Sequence, residues 1–505
     1  MATGNNTTAW TSWAEFRRLE QATGILPLGG DLATALFYPA DYGVGMSNLG
    51  YHYIYRALKE NGVAVERFFA APYPFRSVEN DTLLERFETI MASISFEGDV
   101  PRFARWLASG GISPLREKRD ERAPLIGVGG AITYINPLSL SEIADFVVLG
   151  DGLPVLPYLV ERMRRLSSRD ELLRALAEHP SIFVPSLHLM EGADVQLTRS
   201  TDETFGYGVG TWITPKSVFG RTCLVELQRG CARNCRYCTL PACFGPFRQR
   251  RVAAVEEDLV RVAQVADFDQ VGLVTPEASD YAGLSELLGF IGRMEKGISF
   301  ASLRVDALTK EAMRALVSGG RRSITIAPET GEDGLRAQTG KHFTNGDVIR
   351  KLQLAKQEGI RNVKLYFMMG LPNEEIEHIE AIAGLCRVIK LETGLIVHAA
   401  VSPFVPKPGT AWEACNFEDL RILKKKSSFL KKIFRSGACG SLQIASLREA
   451  LEEYTVSWAS PAVSREIARR AEANDDTRLA YSGDDKSAVR DELARLGLAS
   501  TRGGK

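Results

Sequence analysis

The sequence lacks an excess of charge of either sign, and it is poor in cysteine. Its 505 residues carry 62 basic and 62 acidic side chains, so the zero net charge gives no general attraction to nucleic acid or to a membrane surface. Eight cysteines are too few for a disulfide scaffold and favour a reducing compartment. Residues 1–17 lack the apolar core of a signal peptide, and no apolar run is long enough to span a bilayer. We therefore expect a cytoplasmic protein with no membrane span.

Three of the eight cysteines form one cluster. Cys231, Cys235 and Cys238 are separated by three and then two residues, whereas the other five are scattered. Gly230 precedes the cluster and helps the chain to turn, and a strand-like run, Thr222–Leu227, leads into it. The thiols are therefore predicted at the carboxyl end of a strand, where α/β folds place their chemistry.

The number of thiols limits the metal that they can hold. Three thiolates are one ligand short of a closed structural zinc site. Four irons held by three cysteines leave one iron open to bind another molecule. The spacing matches neither of the common ferredoxin patterns. From spacing alone, an iron–sulfur cluster and a zinc loop completed by Cys243 or a distant ligand both remain open.

Strand and helix patterns alternate along both halves of the chain, which predicts an α/β fold. The first half predicts a doubly wound, Rossmann-like parallel sheet. Its predicted strands are Leu32–Tyr38, Val63–Phe69, Met91–Phe96, Leu125–Val128 and Phe146–Leu149. The second half predicts a partial (β/α)6 barrel of the TIM type, with sites at the carboxyl ends of its strands. Its predicted strands are Thr222–Leu227, Val271–Val274, Ser299–Val305, Arg322–Ala327, Asn362–Met368 and Ile396–Ser402.

The chain is too long for one ordinary core, so we divide it into segments. We expect a lead-in over 1–30, the Rossmann-like domain over 31–170, a linker over 171–217 and the barrel over 218–410. Residues 411–505 are predicted to be helical, with a disordered tail. These last helices are expected to lie across the open face of the barrel and to shape the choice of substrate.

The cysteine motif resembles that of the radical S-adenosylmethionine (radical SAM) superfamily. The resemblance lies in Cys-x3-Cys-x2-Cys after a first strand, with an aromatic residue, Tyr237, before the last cysteine. It implies that Cys231, Cys235 and Cys238 hold a 4Fe-4S cluster whose open iron binds S-adenosylmethionine. It also implies cleavage to a 5'-deoxyadenosyl radical and an electron donor such as flavodoxin or ferredoxin.

The strand ends behind the cysteines resemble the S-adenosylmethionine contacts of this family. The resemblance places Tyr237 beside the adenine, Glu277 at the methionine amino group, Ser302 and Arg304 near the carboxylate and ribose, Glu329 at the ribose hydroxyls and Arg336 near the carboxylate. The two glycines that usually precede the acidic residue are missing before Glu277. The alternatives are structural: an Arg304–Asp306 salt bridge, a helix cap for Glu329 and a surface position for Arg336.

The first domain is similar to the cobalamin-binding-type domain fused to many radical SAM proteins. Gly45 resembles its first turn, Ser93 its serine position, and Gly129 with Gly130 its glycine pair, which flank the nucleotide tail of the cofactor. The stretch 41–45 lacks the histidine that binds cobalt in the Asp-x-His-x-x-Gly motif. The resemblance therefore implies cobalamin without a protein ligand to cobalt, and a domain that binds nothing is the alternative.

The resemblance implies a radical SAM enzyme that acts on a small molecule. With cobalamin bound, methyl transfer to an unactivated carbon is the first hypothesis. A radical cyclisation or rearrangement without cobalamin is the second, and a non-catalytic iron–sulfur redox sensor is the third. Methylthiolation is disfavoured, because enzymes of that subgroup carry a second cluster on cysteines of the first domain, and residues 1–200 contain none.

Overall fold

Two parallel sheet systems, one in each half of the chain, organise the fold. The computed structural model describes residues 12–166, 168–192, 194–200, 205–300, 303–305, 308–435, 437–475 and 486–498. The predicted α/β class, with a doubly wound sheet followed by a partial barrel, is confirmed. Within the described ranges, no helix combines the length and the apolar character needed to cross a bilayer.

The first half begins with a short helix and contains the first eight strands. Its strands are β1 (Gln21–Ala22), β2 (Ala33–Tyr38), β3 (Ala64–Phe69), β4 (Thr89–Ser93), β5 (Leu125–Gly129), β6 (Phe146–Val148), β7 (Ile182–Phe183) and β8 (Trp212–Ile213). Its helices are α1 (Ala14–Leu19), α2 (Tyr42–Gly45), α3 (Leu49–Glu60), α4 (Asp99–Ser109), α5 (Ile132–Ile135), α6 (Leu156–Arg165), α7 (Arg169–Ala177) and α8 (Pro185–Glu191).

The N-terminal sheet has six strands in the order β3-β2-β4-β5-β6-β7. All neighbours are parallel except β7, which runs antiparallel to β6 at one edge. Helices cover both faces, so the strands are nearly continuous runs of buried apolar residues. The edge strand β7 comes from the segment predicted as a linker. That segment also lies along β9 (Thr222–Glu226), where the Gly210 amide donates to the Leu224 carbonyl over 2.9 Å.

The second half forms an open barrel and a helical C-terminal region. Its remaining strands are β10 (Gln228–Arg229), β11 (Arg248–Gln249), β12 (Gln270–Val274), β13 (Gly297–Phe300), β14 (Ser323–Glu329), β15 (Asn362–Met369), β16 (Ile396–Pro403) and β17 (Ser441–Ile444). Its helices are α9 (Leu240–Phe244), α10 (Val252–Ala263), α11 (Leu284–Arg293), α12 (Lys310–Ser318), α13 (Asp333–Gln338), α14 (Asn345–Gln357), α15 (Ile376–Thr393), α16 (Leu420–Phe434), α17 (Leu447–Ser457), α18 (Pro461–Glu472) and α19 (Lys486–Arg495).

The barrel consists of two parallel sheets, β13-β12-β9 and β14-β15-β16-β17. Buried and more exposed residues alternate along β15 and along most of β16, as expected where the two faces of a sheet differ in burial. The barrel therefore has seven strands where six were predicted. The additional strand, β17, pairs in parallel with β16 and follows α16. It has only four residues and lies between helical patterns, so it produces little periodic signal in the sequence.

The C-terminal helices pack on the N-terminal domain, which differs from the prediction that they cross the barrel. Buried side chains of α17, α18 and α19 share one core with β4, β5 and α4. The Asn136 amide donates to the Ala459 carbonyl over 2.8 Å, and the Ser464 hydroxyl accepts from the Glu142 amide over 3.1 Å. Apolar faces of helices can pack against either domain, so the pattern alone does not choose between them.

A buried ionic cluster joins the three parts of the molecule. Lys407, which follows β16, forms ion pairs with Glu97, which follows β4, and with Glu453 of α17. The Ser457 hydroxyl adds a 2.8 Å hydrogen bond to Glu97. The carboxyl ends of the N-terminal sheet and of the barrel strands are thereby held close to each other.

Candidate active site

The cysteine loop begins where β9 ends. β9 is buried along its whole length, and the chain leaves it through Gly230, whose φ is 71°. A Cβ atom on Gly230 would lie 2.8 Å from the Gly245 carbonyl oxygen, so only glycine fits this turn without a shift. The structure thus places the three thiols at the carboxyl end of the first barrel strand, as predicted.

The three thiols are free and partly exposed. Burial raises the pKa of Cys238 to about 11, and it also raises the pKa of Cys231; the neighbouring Cys235 contributes to both shifts. In the described ranges, no three histidine, cysteine, aspartate or glutamate side chains lie close enough together to hold a metal ion as they stand. The chemistry of the donors, three soft thiols on one loop, fits an iron–sulfur cluster.

Backbone contacts hold the second part of the loop. The Arg236 amide donates to the Thr339 carbonyl over 3.0 Å, and the Arg236 carbonyl accepts from the Trp412 amide over 3.1 Å. Gly340 lies so close that a Cβ atom there would be 2.6 Å from the Asn234 carbonyl oxygen. The loop is therefore fixed between the segment after α13 and the segment after β16.

Tyr237 and Glu329 are brought together, with a lysine that the sequence analysis did not identify. The Tyr237 hydroxyl donates to Glu329 Oε1 over 2.7 Å, and Lys341 Nζ donates to the same oxygen over 2.6 Å. Burial and the charge of Glu329 raise the pKa of Tyr237 far above its ordinary value, so this hydroxyl stays protonated. The Tyr237 ring packs against an apolar cluster that includes Phe404 and Trp412.

The backbone of Glu329 is strained. Its φ of 68° lies in the left-handed region, which a residue with a Cβ atom enters only at a cost. Strain of this kind concentrates at functional sites. The Glu329 carboxylate is also buried, with 6% of the residue exposed, at the carboxyl end of β14. Glu332, not Glu329, is the N-cap of the following helix α13, so the helix-cap alternative does not hold for Glu329.

Glu277 lies behind the end of β12 as a buried carboxylate. Its Oε1 accepts from the Arg304 amide over 3.1 Å and from the amide and hydroxyl of Ser279. Burial raises the pKa of Glu277. The Arg304 guanidinium lies over the Phe343 ring, 6.0 Å from its centroid. Ser302 and Asp306 lie outside the described residues.

Arg336 is placed differently from the prediction. It is fully buried, and its guanidinium donates to the Pro328, Thr330 and Phe343 carbonyl oxygens over 3.0, 2.8 and 3.2 Å. Asp333 and Asn345 accept its remaining hydrogen bonds. The donors of Arg336 thus shape the turn between β14 and α14, so the predicted contact with a ligand carboxylate is not supported.

A cavity of about 440 Å³ opens between the two domains, at the carboxyl edge of the N-terminal sheet. Its lining includes small residues, among them the predicted Ser93, Gly129 and Gly130. It extends between the sheet and helices α3 and α6, where Leu36 and Phe146 line it. The cavity therefore has small residues at the strand ends and an apolar slot between the sheet and the helices.

Gly45 does not line this cavity, which corrects its predicted role. A Cβ atom on Gly45 would lie 2.3 Å from the Phe69 ring, so the glycine is needed for packing of α2 against β3. Gly50 of α3 lines the cavity in its place.

The histidine nearest to the cobalamin-type motif has a structural role. His52 is buried, and its Nδ1 accepts from the Thr211 amide over 3.1 Å. Burial lowers the pKa of His52 to about 3, so it is neutral. No histidine occurs among the described residues that line the cavity. The lining of glycines, small polar residues and apolar side chains therefore contains no imidazole among the described residues.

The barrel contributes a charged wall that the sequence analysis also missed. Glu226 and Arg229 enclose the cavity from the barrel side, and Asp151 meets them from the N-terminal domain. Arg229 is two residues before Cys231. The cavity and the cysteine loop therefore share one structural element, β10. A sequence signal that could have located this wall is the Gly150-Asp151-Gly152 turn after β6.

Two family models match the chain. Residues 225–386 match the radical SAM superfamily, and residues 50–185 match the N-terminal region of radical SAM proteins. An uncharacterized protein of Methanocaldococcus jannaschii is 28% identical over 408 residues, which cover 79% of this chain and 83% of that protein.

Two solved structures share the fold. TsrM from Kitasatospora setae, a radical S-adenosylmethionine methyltransferase with cobalamin and a 4Fe-4S cluster bound, aligns with a TM-score of 0.54 at 14% identity over 87% of this chain and 99% of that chain. OxsB, a cobalamin-dependent S-adenosylmethionine radical enzyme with aqua-cobalamin and S-adenosylmethionine bound, aligns with a TM-score of 0.50 at 15% identity over 92% of this chain and 66% of that chain. At these identities the likeness concerns the fold.

Proposed function

We propose that this chain is a radical SAM enzyme, as the two matching models of radical SAM proteins suggest, and that Cys231, Cys235 and Cys238 hold a 4Fe-4S cluster that binds S-adenosylmethionine. The support comes from the three free thiols on one rigid loop at the carboxyl end of β9. When bound, the cluster supplies the electron that cleaves S-adenosylmethionine to methionine and a 5'-deoxyadenosyl radical. An electron donor such as flavodoxin or ferredoxin reduces it.

The residues around the loop bind and orient S-adenosylmethionine. Tyr237 offers its ring to the adenine, and Glu329 accepts from the ribose hydroxyls. Lys341 holds the Glu329 carboxylate in place, since the two groups form a buried ion pair. Glu277, held by the Arg304 amide, accepts from the methionine amino group. The predicted contact of Ser302 belongs to the same proposal.

We further propose that the cavity binds cobalamin and that the enzyme methylates a carbon atom of a small molecule. The observation that carries this proposal is the glycine-lined cavity at the end of the N-terminal sheet, whose lining includes Arg229, two residues before the first cysteine of the loop. Ser93, Gly129 and Gly130 let the cofactor approach the backbone closely, and the slot lined by Leu36 and Phe146 takes its tail. The cobalamin in TsrM and OxsB supports the assignment.

The first experiment tests the cluster. Cys235→Ala is expected to abolish iron binding and the formation of 5'-deoxyadenosine in anaerobically purified protein. Cys415→Ala, which changes a partly exposed cysteine outside the loop, is the matched control and is expected to retain both. Iron at the wild-type level in Cys235→Ala would remove this cysteine from the ligand set.

The second experiment tests the cavity. Protein produced anaerobically in cells supplied with cobalamin is analysed for iron and corrin in the same sample. About four irons and one corrin per chain are expected. Iron without corrin would contradict the methyltransferase proposal and favour a radical cyclisation or rearrangement. Zinc in place of iron would contradict radical chemistry altogether.

A further inference from the structure

Helix α16 and its C-cap residue carry only positive charge on their exposed side. Of the eight exposed residues between 421 and 435, six are basic, and this stretch contains no acidic residue. We call these six residues the basic stripe: Arg421, Lys424, Lys425, Lys431, Lys432 and Arg435. Their spacing of three and four residues puts them on one face of the helix, in a row about 21 Å long. The zero net charge of the whole chain therefore conceals a strongly basic local surface.

The protein itself neutralises little of this charge. In the described structure, Arg421 pairs with Asp419, the residue that caps the helix, and the other five cations of the basic stripe form no ion pair. Other cations of the chain are paired. Lys426, on the inner side of α16, contacts Glu374 and Glu418, and the two exposed arginines of α18 contact glutamates. The basic stripe differs from these neighbours in having no counter-charge of its own.

A stripe without counter-charges is unfavourable for the helix that carries it. Like charges four residues apart repel each other, as do Arg421 and Lys425 and again Lys431 and Arg435. The first turn of α16 contains no acidic residue, although the helix dipole favours negative charge there. A bound polyanion relieves both effects, so the basic stripe has the properties of an anion-binding surface.

The basic stripe runs along the outer side of the barrel and away from the cysteine loop. Near the start of α16, Lys426 donates over 2.9 Å to Glu374, which follows β15 at the carboxyl end of the strand. Beyond the end of α16, Gly440 packs against the Val397 carbonyl, near the amino end of β16. The inner side of the helix belongs to the barrel core. A partner therefore has access to the outer face of α16 only, and its contacts extend from one end of the barrel to the other.

We propose that the basic stripe binds the phosphate backbone of a nucleic-acid duplex. A duplex offers a rigid row of phosphates, and a stripe of about 21 Å covers about six base pairs at 3.4 Å each. Because the helix exposes only lysine and arginine to such a partner, the contacts are with phosphates and carry no sequence information. This inference goes beyond the proposed function, since it uses neither the cysteine loop nor the cavity.

Other anionic partners fit this surface less well. Ile422 is the one exposed apolar residue of α16, whereas a helix that lies in a membrane interface offers a broad apolar face. Phe429 and Phe434 pack in or against the barrel core, so neither is free to stack on single-stranded bases. A protein that delivers electrons to the cluster has to dock near the cysteine loop, and the basic stripe leads away from it.

The test measures binding of the anaerobically purified full-length protein to labelled duplexes by fluorescence anisotropy. An RNA duplex and a DNA duplex of the same sequence, each of about 20 base pairs, are titrated at salt concentrations between about 50 and 200 mM. The wild type is expected to bind both with a Kd of about 1 to 100 μM near physiological salt, and its affinity should fall steeply as salt is added.

A triple variant removes half of the basic stripe. Lys424→Gln/Lys431→Gln/Lys432→Gln is expected to bind about tenfold more weakly at the lowest salt concentration, and the slope of log K against log salt should decrease by about 2 to 3, since each phosphate contact contributes about 0.9. Its melting temperature should be no lower than that of the wild type, because repulsion within the helix is reduced. Lys424→Arg/Lys431→Arg/Lys432→Arg keeps the charge and should bind as the wild type does.

The matched control removes the same charge from other helices. Arg174→Gln/Arg293→Gln/Lys310→Gln changes exposed residues of α7, α11 and α12 and should bind both duplexes as the wild type does. A control that loses as much affinity as the stripe variant would show that net charge is responsible, and the inference would be refuted. The same holds if the wild type binds neither duplex at the lowest salt concentration, or sediments with phosphatidylserine vesicles but binds no duplex.

The proposed function is tested separately from this inference. The stripe variant should form 5'-deoxyadenosine at the wild-type rate, because none of its three changes lies at the cysteine loop. Loss of duplex binding with intact cleavage of S-adenosylmethionine supports the inference. Wild-type protein that binds duplexes but does not cleave S-adenosylmethionine would refute the proposed function and leave the inference standing.

Discussion

The buried pair of Glu329 and Lys341 provides the sharpest test of the proposed S-adenosylmethionine site. Both side chains are less than 10% exposed, and Nζ lies 2.6 Å from the carboxylate oxygen. Glu329→Gln removes one charge and leaves Lys341 with the Ala327 carbonyl as its partner in the described structure. Removal of one partner from a buried ion pair costs about 3 to 5 kcal/mol. For a domain of this size, about 3 kcal/mol lowers the melting temperature by about 6 to 12 °C.

A second variant separates the lost pair from general damage. In Glu329→Gln/Lys341→Met both charges are gone, so the double variant should recover about 2 kcal/mol relative to Glu329→Gln. Thermal melts of the anaerobic protein, followed by circular dichroism, measure both changes. Glu380→Gln, at an exposed position of α15, is the surface control and should melt like the wild type.

Ligand binding gives the same variants a functional readout. If Glu329 accepts from the ribose hydroxyls, both variants bind S-adenosylmethionine about 10- to 100-fold more weakly, because a charged hydrogen bond contributes about 1.5 to 3 kcal/mol. Isothermal titration measures this affinity. A double variant that is less stable than Glu329→Gln would refute the ion-pair reasoning. Wild-type affinity in Glu329→Gln would refute the ribose contact.

Three further predictions follow from packing and charge. Gly340→Ala should lower iron incorporation without unfolding the protein, since the added Cβ atom would push on the Asn234 carbonyl. The control is Gly346→Ala in α14, where an added Cβ atom has no neighbour closer than 3.5 Å, and this variant should load iron normally. Lys407→Met removes the cation between buried Glu97 and half-buried Glu453, and it should destabilise the protein by about 3 kcal/mol in a denaturant titration. An unchanged midpoint would show that this ionic cluster does not contribute to stability. Burial raises the pKa of Glu277 above 4.5, so the folded state binds this proton more tightly than the unfolded state does. The stability of the wild type relative to Glu277→Gln should therefore fall as the pH rises from about 4.5 through the raised pKa. Melting temperatures of the two proteins that change in parallel across that range would contradict this.

The strand pattern allowed much of the fold to be predicted, because parallel strands are buried on both faces and are followed by turn residues. Five of the N-terminal strands and the approximate positions of six barrel strands agree with the structure. β17 was missed because four residues contain too little periodicity. The docking of α17 and α18 was mispredicted because an amphipathic pattern identifies an apolar face but does not identify its partner.

The candidate site was predicted where a motif fixes local geometry and was missed where side chains meet across the fold. The cysteine loop, Ser93 and Gly129 occupy positions that follow directly from strand ends. Lys341, Glu226 and Asp151 have no motif of their own, and only the three-dimensional structure brings them to Glu329 and Arg229. Arg336 shows the opposite error, since a basic residue near a strand end was read as a ligand contact although carbonyl groups of its own turn occupy it.

The docking of the C-terminal helices has a consequence for how the protein is made. Trp458 and Leu496 complete the same core as Ile90 and Phe103, so the N-terminal domain closes only after the barrel has been synthesised. After the strands that line the cavity have been synthesised, roughly 300 residues remain to be translated before helices α17 to α19, which cover this core, are complete. The two domains are therefore not separable cassettes: a fragment that ends before α17 would expose the core beneath the proposed cofactor cavity, and cofactor loading should follow, not precede, completion of the chain.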